Sequence, residues 1–194
     1  MSIQLKKENV LNAYKNANYE EKNLLEQLFG KEIFKPTDVR ERIKTFEEAL
    51  NELELRSADG DKYAESLYDD WHNVITENND LTAFLKLRII TEALNEGWRP
   101  QFVEDERRWY PYFRLYTKEE IEKMDDEIKA RVVARSNHNA YAYGGVSYAY
   151  ANYDSAYVYA DYGSRLAFKT AELAEYAGKQ FIDIYADFCF IPKE

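Results

Sequence analysis

Asn137–Phe181 reads NHNAYAYGGVSYAYANYDSAYVYADYGSRLAFKTAELAEYAGKQF, and tyrosines at 141, 143, 148, 150, 153, 157, 159 and 162 crowd its first half. Tyr148 and Tyr150 alternate with Ser147, Ala149 and Ala151, and Tyr157 and Tyr159 alternate with Ala156, Val158 and Ala160. Side chains that point to opposite faces in turn give the two-residue period of a β-strand. Gly144-Gly145 and Asn152-Tyr153-Asp154-Ser155 are turn-forming in composition. The pattern predicts a β-meander with one tyrosine face and one face of very small side chains.

The residue types on the two faces carry different messages. Alanine and serine let a helix or second sheet approach closely, so that face is expected to turn inward. Tyrosine, where Phe or Leu would serve a dry core, implies that the hydroxyls meet water, neighbours or a ligand. Rigid, amphipathic tyrosine also covers binding surfaces at low rotamer cost. The competing reading is an aromatic core whose hydroxyls reach a wet rim, since β-propensity alone enriches tyrosine in strands.

Working outward, Arg165 and Lys169 alternate with Leu166 and Phe168, and Thr170 is placed to cap a closing helix. Leu173, Tyr176, Ala177, Phe181, Ile184 and Phe188 give that helix a core face. Upstream, Arg108–Leu115 reads as a strand, with Pro111 marking an edge or a bulge. Thr117 with Glu120 forms a capping box that opens a charged helix to about Arg135. Asp80 is placed to cap the strongest helix, tracked by Leu81, Phe84, Leu85, Arg88, Ile89 or Ile90, and Leu94 and stopped at Gly97. It is expected to lie on the sheet as a spine. Thr45 with Glu48 caps a helix carrying Phe46, Ala49, Leu50 and Leu53. Residues 56–61 read as a loop, Tyr63–Ile75 as a segment with helical spacing, and Asp38–Ile43 as a short helix. Near the start, Asn18 with Glu21 separates two helices, the second ending at Gly30. The fold class is therefore α+β: a helical N-terminal half, then an antiparallel tyrosine-rich meander closed by a C-terminal helix. Residues 1–35 are expected to form a helical hairpin and residues 36–194 an α+β domain.

The 194 residues carry a net charge of −10, which opposes binding of long nucleic acid. No apolar run approaches the roughly 20 residues needed to cross a bilayer, and the first residues lack the apolar core of a signal peptide. The single cysteine, Cys189, excludes an internal disulfide and fits a reducing cytoplasm; it reads as a core residue near the end of the last helix.

Three segments together carry a resemblance: Ile90–Trp98 (ITEALNEGW), Trp109–Phe113 (WYPYF) and Gly163–Phe181 (GSRLAFKTAELAEYAGKQF). With Ile43–Phe46 and the opening helical pair, the chain resembles a family of uncharacterised proteins from phages, prophages and mobile elements of gut bacteria. The resemblance implies a mobile-element setting, in a host cytoplasm or a virion, and no chemistry. Relative to the usual pattern, residues 117–135 look like a helical insertion.

Walker loops, dinucleotide fingerprints and nucleophile elbows are missing from the sequence. His72 and His138 lie far apart, and the acid pairs Asp69-Asp70 and Asp125-Asp126 read as solvated surface. No catalytic residue, metal ligand or cofactor is expected. The candidate ligand-binding residues are Tyr141, Tyr143, Tyr148, Tyr150, Tyr157, Tyr159, Arg165, Arg108 and Trp109. Stacked rings with a few cations suit a small planar anionic ligand such as a nucleotide. The expectation is a non-enzymatic binding protein that could sequester a nucleotide-like host defence signal. The alternative is a structural protein whose tyrosine face makes a homo-oligomer or holds a protein partner.

Overall fold

Local capping and one deeply buried helix settle most of the architecture. The computed structural model describes residues 5–74, 79–101, 103, 105–130, 132, 145–155 and 163–189. The chain divides into two compact units, Met1–Arg42 and Ile43–Glu194.

The first unit holds helices α1 (Lys7–Asn16), α2 (Tyr19–Phe29) and α3 (Val39–Arg42), with a 3-10 turn at Lys31–Phe34. Asn18 Oδ1 accepts from the Glu21 amide at 3.0 Å and Glu21 Oε2 from the Asn18 amide at 2.8 Å, a reciprocal cap that starts α2. Gly30, at φ 80°, ends it in a conformation that favours glycine. Tyr14 stacks on Phe34 with ring centroids 4.0 Å apart, which fastens α1 to the 3-10 turn.

The second unit runs α4 (Phe46–Ala58), α5 (Lys62–Asn73), α6 (Asn79–Leu94), β1 (Arg107–Tyr116), α7 (Lys118–Glu122), α8 (Asp126–Lys129), β2 (Gly145–Ser155), a 3-10 turn at Ser164–Leu166, α9 (Ala171–Gln180) and α10 (Ile182–Cys189). It is α+β, mostly helical, with an antiparallel β1–β2 pair and a C-terminal helical end. Thr45 and Glu48 form the predicted capping box of α4, and Thr117 and Glu120 that of α7. The predicted loop at 56–61 is shorter than expected. Arg56–Ala58 complete α4, and Asp61 caps α5 by accepting from the Tyr63 and Ala64 amides.

Helix α6 is the spine, but of the helical layer. Leu87, Ile89, Ile90, Ala93 and Leu94 are all fully buried, and even Thr91, Glu92 and Asn95 are shielded. A helix whose last turns are buried on every side must be surrounded, and α6 packs on α4 and α5 and on α9 and α10. The helix that lies on both strands is α9, a correction to the expectation that α6 covers the sheet. The reason is Gly178: a Cβ there would sit 2.7 Å from Pro111 Cβ and 2.7 Å from Tyr148 Cδ2, so only glycine lets α9 come this close.

Two polar devices tie α6 to its surroundings. Asn95 Nδ2 donates to the Ala167 carbonyl at 2.8 Å, and its Oδ1 accepts from the Lys169 amide at 3.0 Å, pinning the segment after the 3-10 turn. Glu92 Oε1 accepts from Arg56 Nη2 at 2.6 Å and from Arg99 Nη2 at 3.3 Å. Arg56 and Arg99 also pair with Asp61. Partial burial would raise the Asp61 pKa, but hydrogen bonds from Arg56 and the Ala64 amide and the nearby positive charge hold its carboxyl well below the usual carboxylate range.

In the sheet, Arg107 pairs with Ser155 and Tyr116 with Gly145. Asn152–Ser155 and Gly145 therefore belong to one continuous strand and are not turns. Cross-strand pairing with a ten-residue β1 outweighs their turn propensity, and Trp109 against Tyr153 at 4.9 Å holds that end together. Trp109 also exchanges both backbone bonds with Phe168 on the opposite edge. Pro111, two residues on, aims its missing N–H along that same edge, where the ladder with β2 does not need it.

The register shifts between Tyr112 and Phe113, so Ala149 is an extra residue on β2. Tyr150 pairs with Tyr112 and Tyr148 with Phe113. Consecutive β1 residues face opposite ways, so the bulge sends Tyr148 toward α9 and Tyr150 to the other face. The two rings do not share one face, as simple alternation predicted.

Three other expectations change. The helix predicted from Thr117 to Arg135 breaks at Lys123–Asp125, because Asp125 caps α8 by accepting from the Ile128 amide at 2.9 Å. The closing helix breaks at Phe181, whose φ −113° and ψ 27° end α9. Cys189, expected in the core, is exposed as the last residue of α10.

Candidate functional site

A cleft of about 880 Å³ runs along β2, bordered by Tyr148–Ala151 on one side and by Ala171, Glu175, Lys179 and Ile182 on the other. The α9 side is a stripe at helical spacing, i, i+4, i+8, which the chain presents because Thr170 fixes where the helix begins. The β2 side includes four consecutive residues, so the cleft follows the strand's edge and meets rings from both faces.

Each tyrosine in the cleft is held differently. Tyr148 is half-buried, edge-on to Phe113 with centroids 6.4 Å apart, and Lys179 Nζ stands 5.2 Å from its ring centre. Burial, with help from the negative charge of Glu175, pushes its phenol up to about 12. Tyr148 is therefore a neutral hydroxyl at physiological pH, able to donate a hydrogen bond. Tyr150 is 54% exposed and lies parallel to Tyr112, with centroids 5.3 Å apart and planes 1° from parallel. Lys179 is ion-paired with Glu175 one helical turn back. Among the described residues the cleft thus presents ring surface, one cation and one carboxylate.

The other predicted residues fall elsewhere. Arg108 is 1% exposed and donates to Ser164 Oγ at 2.9 Å, so it braces β1 to the 3-10 turn beneath the surface. Trp109 is half-buried against Tyr153, whose ring also meets Arg107 at 4.6 Å. Arg165 is exposed and borders a separate cavity. Tyr141, Tyr143, Tyr157 and Tyr159, like His138, lie outside the described residues. His72 contacts the Tyr68 carbonyl with its Nδ1 at 2.8 Å within α5, away from the cleft. Among the described residues no group of three or more His, Cys, Asp or Glu could hold a metal ion.

Sequence reasoning missed Glu175 and Lys179. Their Glu-to-Lys spacing of four residues is a readable signal of a charged helix stripe, but not of what that stripe faces.

Fold and cleft together define an α+β protein with an open, tyrosine-bordered groove on its sheet edge. No protein-family model, curated protein or solved structure matches the chain. Among the described residues no helix is long and apolar enough to cross a membrane.

Proposed function

We propose that this chain is a non-enzymatic binding protein whose cleft along β2 receives a small planar ligand bearing an anionic group, of the nucleotide kind. The observation that carries the reading is the open face of Tyr150 in a cleft that also holds the Lys179 ammonium. A volume of about 880 Å³ falls within the range of small-molecule sites, roughly 300–1,000 Å³. A base would stack on the phenol, Glu175 would accept from an exocyclic amine, and Lys179 would meet a phosphate. The paired charges and the net charge of −10 favour a ligand with one or two negative charges over a polyphosphate. In the mobile-element setting that the resemblance implies, such a protein would sequester a host signal in the cytoplasm.

Calorimetric titration with mononucleotides and cyclic nucleotides tests this. Base stacking on an aromatic ring contributes about 1–3 kcal/mol, so Tyr150→Ala is expected to weaken binding about 5- to 150-fold. Absence of heat from every member of the panel would oppose the reading. A second reading has its own support: Tyr150 and Tyr153 stand 54% and 42% exposed on one strand, as in an interface between copies. Light scattering separates the two, since an oligomer through these rings would dissociate when both are changed to Ser.

A further inference from the structure

A second cavity, of about 150 Å³, shares no lining residue with the tyrosine cleft among the described residues. It is walled by α6, by the Trp98–Pro100 segment and by the 3-10 turn, with Tyr63 of α5 at its margin. Asn95 fixes its far wall through the bonds to Ala167 and Lys169.

Three observations converge there. First, Thr91 borders the cavity, is 3% exposed, and its Oγ1 has no hydrogen-bond partner. A buried hydroxyl left unmet is destabilising, so a group that answers it is expected. Second, the charges do not balance. Arg56 and Arg99 are matched by Asp61 and Glu92, while Arg165 borders the same cavity with no carboxylate partner among the described residues. Among the described residues one positive charge is left over, in a chain whose net charge is −10. Third, the guanidinium of Arg99 is already oriented, lying 4.2 Å from the Tyr63 ring centre and bonded to Asp61 and Glu92.

We infer that this cavity binds a small oxyanion, a carboxylate or phosphate group carrying about one negative charge. Arg165 supplies the uncompensated cation, Arg99 a second guanidinium edge, and Thr91 a hydroxyl donor at the floor. Planar guanidinium groups suit oxyanions because their N–H donors match two oxygens at once. At about 30 Å³ per water, the volume corresponds to roughly five waters, too small for a nucleotide. The inference stands apart from the tyrosine cleft and does not rest on it.

Titration of the full chain with sodium phosphate and with sodium acetate, at ionic strength fixed with sodium chloride, tests it. The readout is the arginine side-chain Nε–H signals by NMR. Saturable shifts are expected with one or both anions, and the stronger response identifies the preferred oxyanion. A hydrogen bond to a charged group contributes about 1.5–3 kcal/mol, so Arg165→Ala should weaken binding roughly 10- to 150-fold. Arg165 is exposed, so that variant should fold as the parent does. Thr91→Val should weaken binding while leaving the unfolding midpoint without anion unchanged or raised, because the unmet hydroxyl is gone. A linear response to both anions, or binding unaffected by Arg165→Ala, would overturn the inference whatever the tyrosine cleft does.

Discussion

Glu92→Ala is expected to lower the unfolding free energy by about 3 kcal/mol, read as a shift in urea midpoint at unchanged slope. The Glu92 side chain is 7% exposed and that of Arg56 16%, so both charges have left water. Removing one member of such a pair leaves the other buried and uncompensated, which costs about 3–5 kcal/mol. The lower end applies because Asp61 still holds Arg56. A companion variant separates electrostatics from simple loss of packing. Arg56→Met combined with Glu92→Leu puts apolar volume in place of both charges and is expected to regain at least half of the loss. If the double variant is less stable than Glu92→Ala, the network contributes net stability and the argument from desolvation is wrong.

Gly178→Val is expected to cost about 3 kcal/mol and to abolish ligand binding in the tyrosine cleft. Gly178 is buried in α9, and the space a Cβ would need is already held by the Pro111 ring and the Tyr148 ring edge. Neither is the free end of a flexible side chain, so α9 must move off the sheet. Overpacking of this kind costs typically 1–3 kcal/mol, and two more methyl groups place valine at the upper end. Alanine is the sensitive control. At an open helical position it would stabilise by about 1 kcal/mol relative to glycine. Here the clash outweighs that gain, and Gly178→Ala should lower the thermal midpoint. A rise in midpoint would refute the close approach of α9 to β1 and β2.

What the sequence disclosed was whatever is decided within a few residues. Asn18 with Glu21, Thr45 with Glu48 and Thr117 with Glu120 each bond as their spacing implies, because a capping box involves one turn of chain. Pro111 lies in a strand next to a bulge and on an edge, as a residue without an N–H must. The bulge itself was hidden. Ser147–Ala151 alternates without a flaw, and only pairing with Tyr112 and Phe113 reveals that Ala149 is extra. The Arg56–Asp61–Glu92–Arg99 network was equally hidden, since it joins the end of α4, the cap of α5, α6 and the segment after it. For the same reason Arg165, adjacent in sequence to the tyrosine ribbon, borders a different cavity. The need for glycine at 178 was hidden as well. Its role lies in the distance between a helix and a sheet, which has no local signature.

The measurement that bears most directly on the central claim is an NMR titration of protein carrying ring-¹³C tyrosine with an adenine mononucleotide. The signals of Tyr150 and Tyr148 are assigned through Tyr150→Phe and Tyr148→Phe. The account predicts saturable shifts at Tyr150 and Tyr148, with a smaller one at Tyr112 behind Tyr150, and none at Tyr14 in the N-terminal unit. If the nucleotide binds while the Tyr150 and Tyr148 rings stay unmoved, or if no tyrosine responds at any concentration, the cleft along β2 is not a binding site.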